Sequence, residues 1–433
     1  MTRIASKLVG MIDKRIPIYN VADWNRVGTN QTFDGRVWSM SEEYRVMNDI
    51  NFSGQVLQNL GEDSNRFTGK IDGQGYTFSN MVKTVNIGNQ APSVGLINWT
   101  GAGAEILNLK IGVNWTVSGN DTILVYNCYY IGGLIGVARD TLTVKNVQVS
   151  GSINGGTVGS FGGSNFSHVG GIVGVCTPGG DITLENCINN ASVTGNNNSN
   201  TFQCECGGIV GTCDVNSLTI RRCVNNGAIT LGTSGIAGGG RAVRAGGIIG
   251  ASGNSTIPPR IIDCYNSGDV SVSKNGALTG AAYLVAGGLV GAQRSSTVIA
   301  NCYSTGKVIR NANTSNGAVN RIGGITGESD VATNLAINTY YLASQLFVGT
   351  AVQADANTGS GTIVIDGTSV PPRGSTQGSG AKAQNVMQVT LANAQANNTI
   401  YYTGNVTSTT PGITGWDFTN VWNVSGTNYP ILR

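Results

Sequence analysis

Charge is the scarcest commodity in this 433-residue sequence: Asp, Glu, Lys and Arg together make up 11%, against about 25% in ordinary globular proteins. The net charge of +3 comes from singly scattered Lys and Arg. That leaves no basic stripe for nucleic acid or for an anionic membrane surface. Histidine occurs once, as His168, which excludes a metal site built on paired histidines. Its place just ahead of a di-glycine puts it at a strand start, with its side chain expected on the surface. No window of about 18 consecutive apolar residues occurs, so insertion into a membrane is not expected. The first fifteen residues, MTRIASKLVGMIDKR, have an apolar stretch cut by Lys7 and no small-residue cleavage site. They do not read as a signal peptide, so the expectation is a leader already removed or a route outside general secretion, as for a virion component.

Catalytic pairings are equally sparse. A glycosidase needs two carboxylates about 5 to 10 Å apart, and Asp181, Glu185, Asp214, Asp263 and Asp269 do not fall into two aligned columns. No Asp cluster of the calcium-loop type is present. DGQGYTF, residues 72–78, reads as a turn between strands. The nine cysteines include Cys204, Cys206 and Cys213, but C-x-C followed by isolated cysteines lacks the paired C-x-x-C spacing of structural zinc. An odd number also argues against a complete disulfide framework. They are read as small buried apolar side chains, and no cofactor is expected.

What the sequence does have is glycine, 64 of 433 residues, about twice the usual share. Proline, at nine residues, does not push the chain into the disordered range. The glycines recur on a period. YIGGLIG, HVGGIVG, ECGGIVG, RAGGIIG, VAGGLVG and RIGGITG have first glycines at Gly132, Gly170, Gly207, Gly246, Gly287 and Gly323, spaced 38, 37, 39, 41 and 36 residues apart. SVGLIN, residues 93–98, is a degenerate earlier copy. A second element follows each time, as in ENCINNASV and ANCYSTGKV, and aligns Val147, Cys187, Cys223, Cys264 and Cys302 in one column, with Leu109 before and Thr339 after.

Short strands, tight corners and a fixed period point to stacked rungs. The expected fold is all-β: a right-handed parallel β-helix, or β-solenoid, of 36 to 41 residues per repeat with a short N-terminal capping helix at NVADWNRVG, residues 20–28. Each position then recurs every ~4.8 Å along the axis. The cysteine column becomes an interior ladder. The preceding column, Asn108, Asn146, Asn186, Arg222, Asp263, Asn301 and Asn338, is placed at a corner where stacked amides can bond to one another. Di-glycines suit corners where a Cβ would obstruct a neighbouring backbone. Gly227, Gly268 and Gly306, in NNG, NSG and STG, are expected at left-handed turn positions.

The paired segments GGLVG and NCYSTGKV closely resemble the GLUG-motif repeat, a family found in surface and secreted bacterial proteins and other large β-helical proteins. YRVMNDINFSG and FTGKIDGQGYTFSNM resemble the rungs that lead into such arrays, and GWDFTNVWNVSGTNYPILR, residues 415–433, resembles their closing segment. The resemblance implies a right-handed β-helix in an exposed or exported setting and implies no activity. It leaves out residues 345–414, which contain the loop-like SVPPRGSTQGSG.

The chain is therefore divided into a cap and leading rungs (1–92), repeats (93–344) and a loop-rich C-terminal region with a closing rung (345–433). The expected function is non-enzymatic: a structural or adhesive β-solenoid displayed on a cell surface or virus particle. Its partners would be neighbouring proteins, a second copy of itself, or a surface glycan or receptor met through variable loops such as 154–168 and 230–244. A carbohydrate-binding or carbohydrate-degrading β-helix, tailspike-like, is the alternative.

Overall fold

A computed structural model describes residues 13–86, 93–118, 129–158, 166–197, 203–233, 241–253, 255, 257–274, 282–311, 319–329, 335–342, 346–348, 351–352, 382–389, 416–423 and 430–433. Both inter-repeat loops singled out above have their centres outside these residues, as does most of 345–414.

The period becomes a parallel β-solenoid. Each repeat contributes a strand that ends on the first glycine of the di-glycine, such as Gln203–Gly207, and after a sharp bend a second, such as Val210–Cys213. Strands of the first kind form one seven-stranded sheet, and strands of the second kind form another. The remainder of each rung, for example Ser217–Arg221, Val224–Asn225 and Ile229–Thr233, joins a large sheet that wraps the other sides. Register between rungs is kept: Gly132, Gly170, Gly207, Gly246, Gly287 and Gly323 pair in succession. Along each strand the side chains alternate, so Leu218 and Ile220 are buried while Ser217 and Arg221 face out.

The di-glycine bend is a matter of space. A Cβ on Gly170, Gly207, Gly246 or Gly287 would overlap the carbonyl oxygen three residues further on. The left-handed corner lies elsewhere than expected. Gly227, Gly268 and Gly306 are not among the residues with positive φ; the column one residue before the cysteines is, with Asn108, Asn146, Asn186, Arg222, Asp263 and Asn301 all between +52° and +56°. Asparagine tolerates that conformation because its short amide bonds locally. Gly227, Gly268 and Gly306 are glycine for closeness instead: a Cβ on each would overlap a carbonyl of the preceding rung. The amides of the corner column bond along the axis, Asn146 Nδ2 to Asn108 Oδ1 at 2.8 Å and Asn186 Nδ2 to Asn146 Oδ1 at 3.0 Å. Asp72 of DGQGYTF, in register with Leu107, ends this run of side-chain bonds by accepting from Asn108 Nδ2 at 3.0 Å, and its turn is made by Gln74 and Gly75 at positive φ.

Leu109, Val147, Cys187, Cys223, Cys264, Cys302 and Thr339 are all buried. The backbone N–H of Cys223 points at Cys264 Sγ at 3.3 Å, and that of Cys264 at Cys302 Sγ at 3.4 Å. Burial pushes the thiol pKa of Cys187, Cys223 and Cys264 well up, as low dielectric disfavours thiolate.

At the N-terminal end the four-residue helix Val21–Trp24 is capped by Asn20, whose side chain accepts from the Asp23 N–H. It lays Trp24 edge-on against Phe78 at 5.2 Å. At the other end Lys382–Val389 stacks in parallel on Leu335–Leu342 as a further rung. The last residues do something different. Trp422–Asn423 pairs antiparallel with Ile431–Leu432, and this hairpin lies against the side of the solenoid. Trp422 and Trp416 pack 5.9 and 6.3 Å from Tyr303, and Tyr303 Oη donates to the Pro430 carbonyl at 2.5 Å.

Candidate functional site: the groove at the di-glycine bend

Because each repeat bends at its di-glycine, the two seven-stranded sheets meet at an angle and leave a groove outside the barrel. One wall carries the column Ser93, Tyr130, His168, Glu205, Arg244 and Val285, in register from rung to rung. The other carries Trp99, Val137, Val175, Thr212, Ala251, Ala292 and Glu328. Outward residues on a flat sheet would be solvated. Here the facing wall covers them.

Glu205 is the extreme case, with 0% of its surface exposed. Its Oε1 lies 2.5 Å from Arg294 Nη2 and 3.3 Å from Arg244 Nη1. Its Oε2 accepts from the Thr212 hydroxyl across the groove and sits 3.3 Å from His168 Nδ1. Arg244 runs on along the groove, and its Nε donates to Glu328 Oε2 at 3.1 Å, two rungs away. The wall opposite that path is Ala251 and Ala292, small enough to leave the guanidinium room. Burial alone would raise the Glu205 pKa, but the Arg294 guanidinium, the His168 contact and the Arg244 guanidinium outweigh it and hold the carboxyl well below the usual range. The network is balanced, with two carboxylates and two guanidiniums. That balance makes so deep a burial of charge tolerable.

Beside this network the groove opens into a cleft of about 280 Å³, lined in part by Tyr130, Phe166, His168, Gln203, Asp214 and Arg294. Three rings stand nearly parallel there: His168 is stacked on Tyr130 at 5.6 Å and 8°, and on Phe166 at 6.1 Å and 22°. The expectation that His168 is a surface side chain is corrected: it is 7% exposed, because the column it belongs to faces the opposite wall and not open solvent. Its strand, Phe166–Gly170, places it mid-strand.

The threonine hydroxyls that line the cleft are engaged, and its thiol is buried. The Thr212 hydroxyl donates to Glu205, and that of Thr177 to the Ala138 carbonyl at 3.3 Å. Cys176 is fully buried, and burial raises its thiol pKa well above the ordinary value. Cys176 aligns with Cys213 in the next rung, whose thiol is pushed up to about 12. Cys204 and Cys206 face the interior with 0% exposure. Among the described residues no three His, Cys, Asp or Glu side chains form a group able to hold a metal.

A second buried polar column escaped the sequence reading. Asn189, Asn225 and Asn266, two residues after the cysteines, are 0% exposed. Asn189 Nδ2 donates to Asn225 Oδ1 and Asn225 Nδ2 to Asn266 Oδ1, both at 2.7 Å. Each Nδ2 also donates to the carbonyl two residues on. The second glycine of three di-glycines packs against this ladder: a Cβ on Gly171, Gly208 or Gly247 would overlap the amide of Asn189, Asn225 or Asn266. The repeated Asn in INN, VNN and YNS was the available signal.

Fold and groove together define a parallel β-solenoid with an axial external groove tied by buried ion pairs. No protein-family model matches the sequence, and no curated protein matches it. Among solved structures, it is similar to a crystal structure of a candidate immunoglobulin A1 protease from Bacteroides ovatus, with a TM-score of 0.48 and 18% identity, over 97% of this chain and 92% of that one.

Proposed function

We propose that this is a non-enzymatic, GLUG-like β-solenoid that serves as a structural or adhesive element on a cell surface or virus particle and recognises its partner through the groove at the di-glycine bend. The observation that carries this reading is the engagement of Glu205 and of the groove's threonine hydroxyls. Glu205 is committed to two guanidiniums, a hydroxyl and an imidazole, so it is not free to act as a base. The Thr177 hydroxyl donates to the Ala138 carbonyl, and the carboxylate that the Thr212 hydroxyl meets is Glu205, whose cationic partners hold its pKa too low for it to take up a proton near neutral pH. What remains is a rigid concave surface with aromatic rings and a few polar groups, the composition of a recognition site.

Two measurements test it. Mass spectrometry of particle and cell-surface fractions from the source is expected to find the protein there; its confinement to the cell interior overturns the display reading. The full chain, incubated for days with immobilised surface polysaccharides and glycoproteins, is expected to be retained on at least one without releasing reducing ends or peptides. Product release that is lost in Glu205→Gln overturns the non-enzymatic reading.

A further inference from the structure

We infer that the cleft beside His168 is a subsite for a single uncharged pyranose ring of a glycan. This rests on the groove being a recognition surface and adds what it recognises.

Size comes first. A cleft of about 280 Å³ is at the lower edge of ligand pockets, roughly 300 to 1,000 Å³. One small ring fits it, and a folded peptide segment does not.

Chemistry comes second. Tyr130, Phe166 and Val175 supply apolar carbon, while Gln203 and Asp214 are polar and only partly buried. A pyranose has an apolar face of C–H groups and a rim of hydroxyls, each able to donate and accept. Asp214 can only accept when ionised, and Gln203, whose Oε1 already accepts from Arg294, offers its amide N–H groups as donors. Together they match a hydroxyl rim, with carbon beside it for the C–H face.

Charge decides between ligands. Arg294 and Asp214 line the same cleft with opposite signs. A ligand carboxylate would draw Arg294 away from Glu205, leaving a fully buried carboxylate short of a partner, which is strongly unfavourable. A quaternary ammonium suits aromatic rings beside an acid, but here it would meet the Arg294 guanidinium, held at 2.5 Å from Glu205 and 2.9 Å from Gln203 Oε1. A neutral ring disturbs neither. The flanking strands are fixed in register on both sides, so little ordering accompanies binding. A single ring in such a site is expected to bind with Kd on the order of mM, and copies of the protein on one surface would multiply that.

The test is saturation-transfer NMR on the intact chain with the methyl pyranosides of glucose, galactose and mannose, and with methyl glucuronide and tetramethylammonium alongside. At least one neutral pyranoside is expected to receive saturation, most strongly on its ring C–H protons. Phe166→Ala and Tyr130→Ala are expected to weaken it at least fivefold. Should these variants fold poorly, Asp214→Asn, on the partly buried rim, is expected to lower affinity while leaving the thermal transition in place. The inference is overturned if no neutral pyranoside binds, if binding survives all three substitutions, or if the glucuronide or tetramethylammonium binds more tightly. Retention on a surface that persists while every pyranoside fails would remove the sugar subsite and leave the recognition reading standing. Loss of all retention would remove both.

Discussion

Two buried polar columns run along this solenoid, and they solve the same problem in opposite ways. The interior ladder of Asn189, Asn225 and Asn266 is neutral and repeats the same amide-to-amide bond from rung to rung, ending where Asn266 Nδ2 donates to Ser304 Oγ. The groove network of Glu205, Arg244, Arg294 and Glu328 is ionic, occurs once, and ties two members of one column, Glu205 and Arg244, to Arg294 and Glu328 at other positions of the repeat. A ladder that repeats has nothing to distinguish one rung from the next, so it specifies architecture. A network that departs from the repeat marks one place along the rod, and the aromatic cleft opens beside that place.

The sharpest way to break the comparison is Glu205→Gln. It strands Arg294 beside a neutral amide and takes one of two carboxylates from Arg244, and breaking a buried ion pair costs about 3–5 kcal/mol. Urea unfolding of the variant is expected to show a loss of that order. Asn225→Ala comes next. It deprives Asn189 Nδ2 of its acceptor and Asn266 Oδ1 of its donor, and orphaned buried groups cost about 1–3 kcal/mol; the same unfolding curve reads it. A third experiment separates the columns by acid. The folded-state pKa of Glu205 lies below its unfolded value, near 4.3. Its contribution is therefore complete above about pH 4.3 and is lost as the pH falls below that. The stability difference between native protein and Glu205→Gln is expected to shrink as the pH drops below about 4, while the difference caused by Asn225→Ala stays constant. The smallest effect belongs to Asn226→Ala. Its amide bonds to Asn190 at 2.8 Å at an exposed position just after the strand Val224–Asn225, and its removal is expected to change stability by no more than about 0.5 kcal/mol. A loss as large as that of Asn225→Ala would dissolve the distinction between inside and outside.

The repeat was legible because it is periodic. Gly132, Gly170, Gly207, Gly246, Gly287 and Gly323 could be aligned by eye, and alignment alone assigns the parallel register of a stack. The corner was half legible. A column of asparagines preceding the cysteines was visible, but the left-handed conformation was assigned to Gly227 and its equivalents, because glycine there answers two different demands, freedom of φ and absence of a Cβ. Only the distance to the preceding rung tells them apart. The groove network was not legible. Arg294 lies 89 residues from Glu205 and Arg244 lies 84 from Glu328, and what joins them is the room left by Ala251 and Ala292 on the facing wall. A hint existed in the column before the di-glycines, where Glu205 is followed one repeat later by Arg244.

The side-mounted hairpin has a mechanical meaning. In a stack where each rung touches only its neighbours, melting can start at an end and proceed rung by rung. Trp422 lies 6.3 Å from Tyr265 and 5.9 Å from Tyr303, rings of two successive rungs stacked 4.9 Å apart. The tail thus clips together layers well inside the stack. It works as a latch: fraying that begins at the last rung has to stop there until four aromatic rings let go at once.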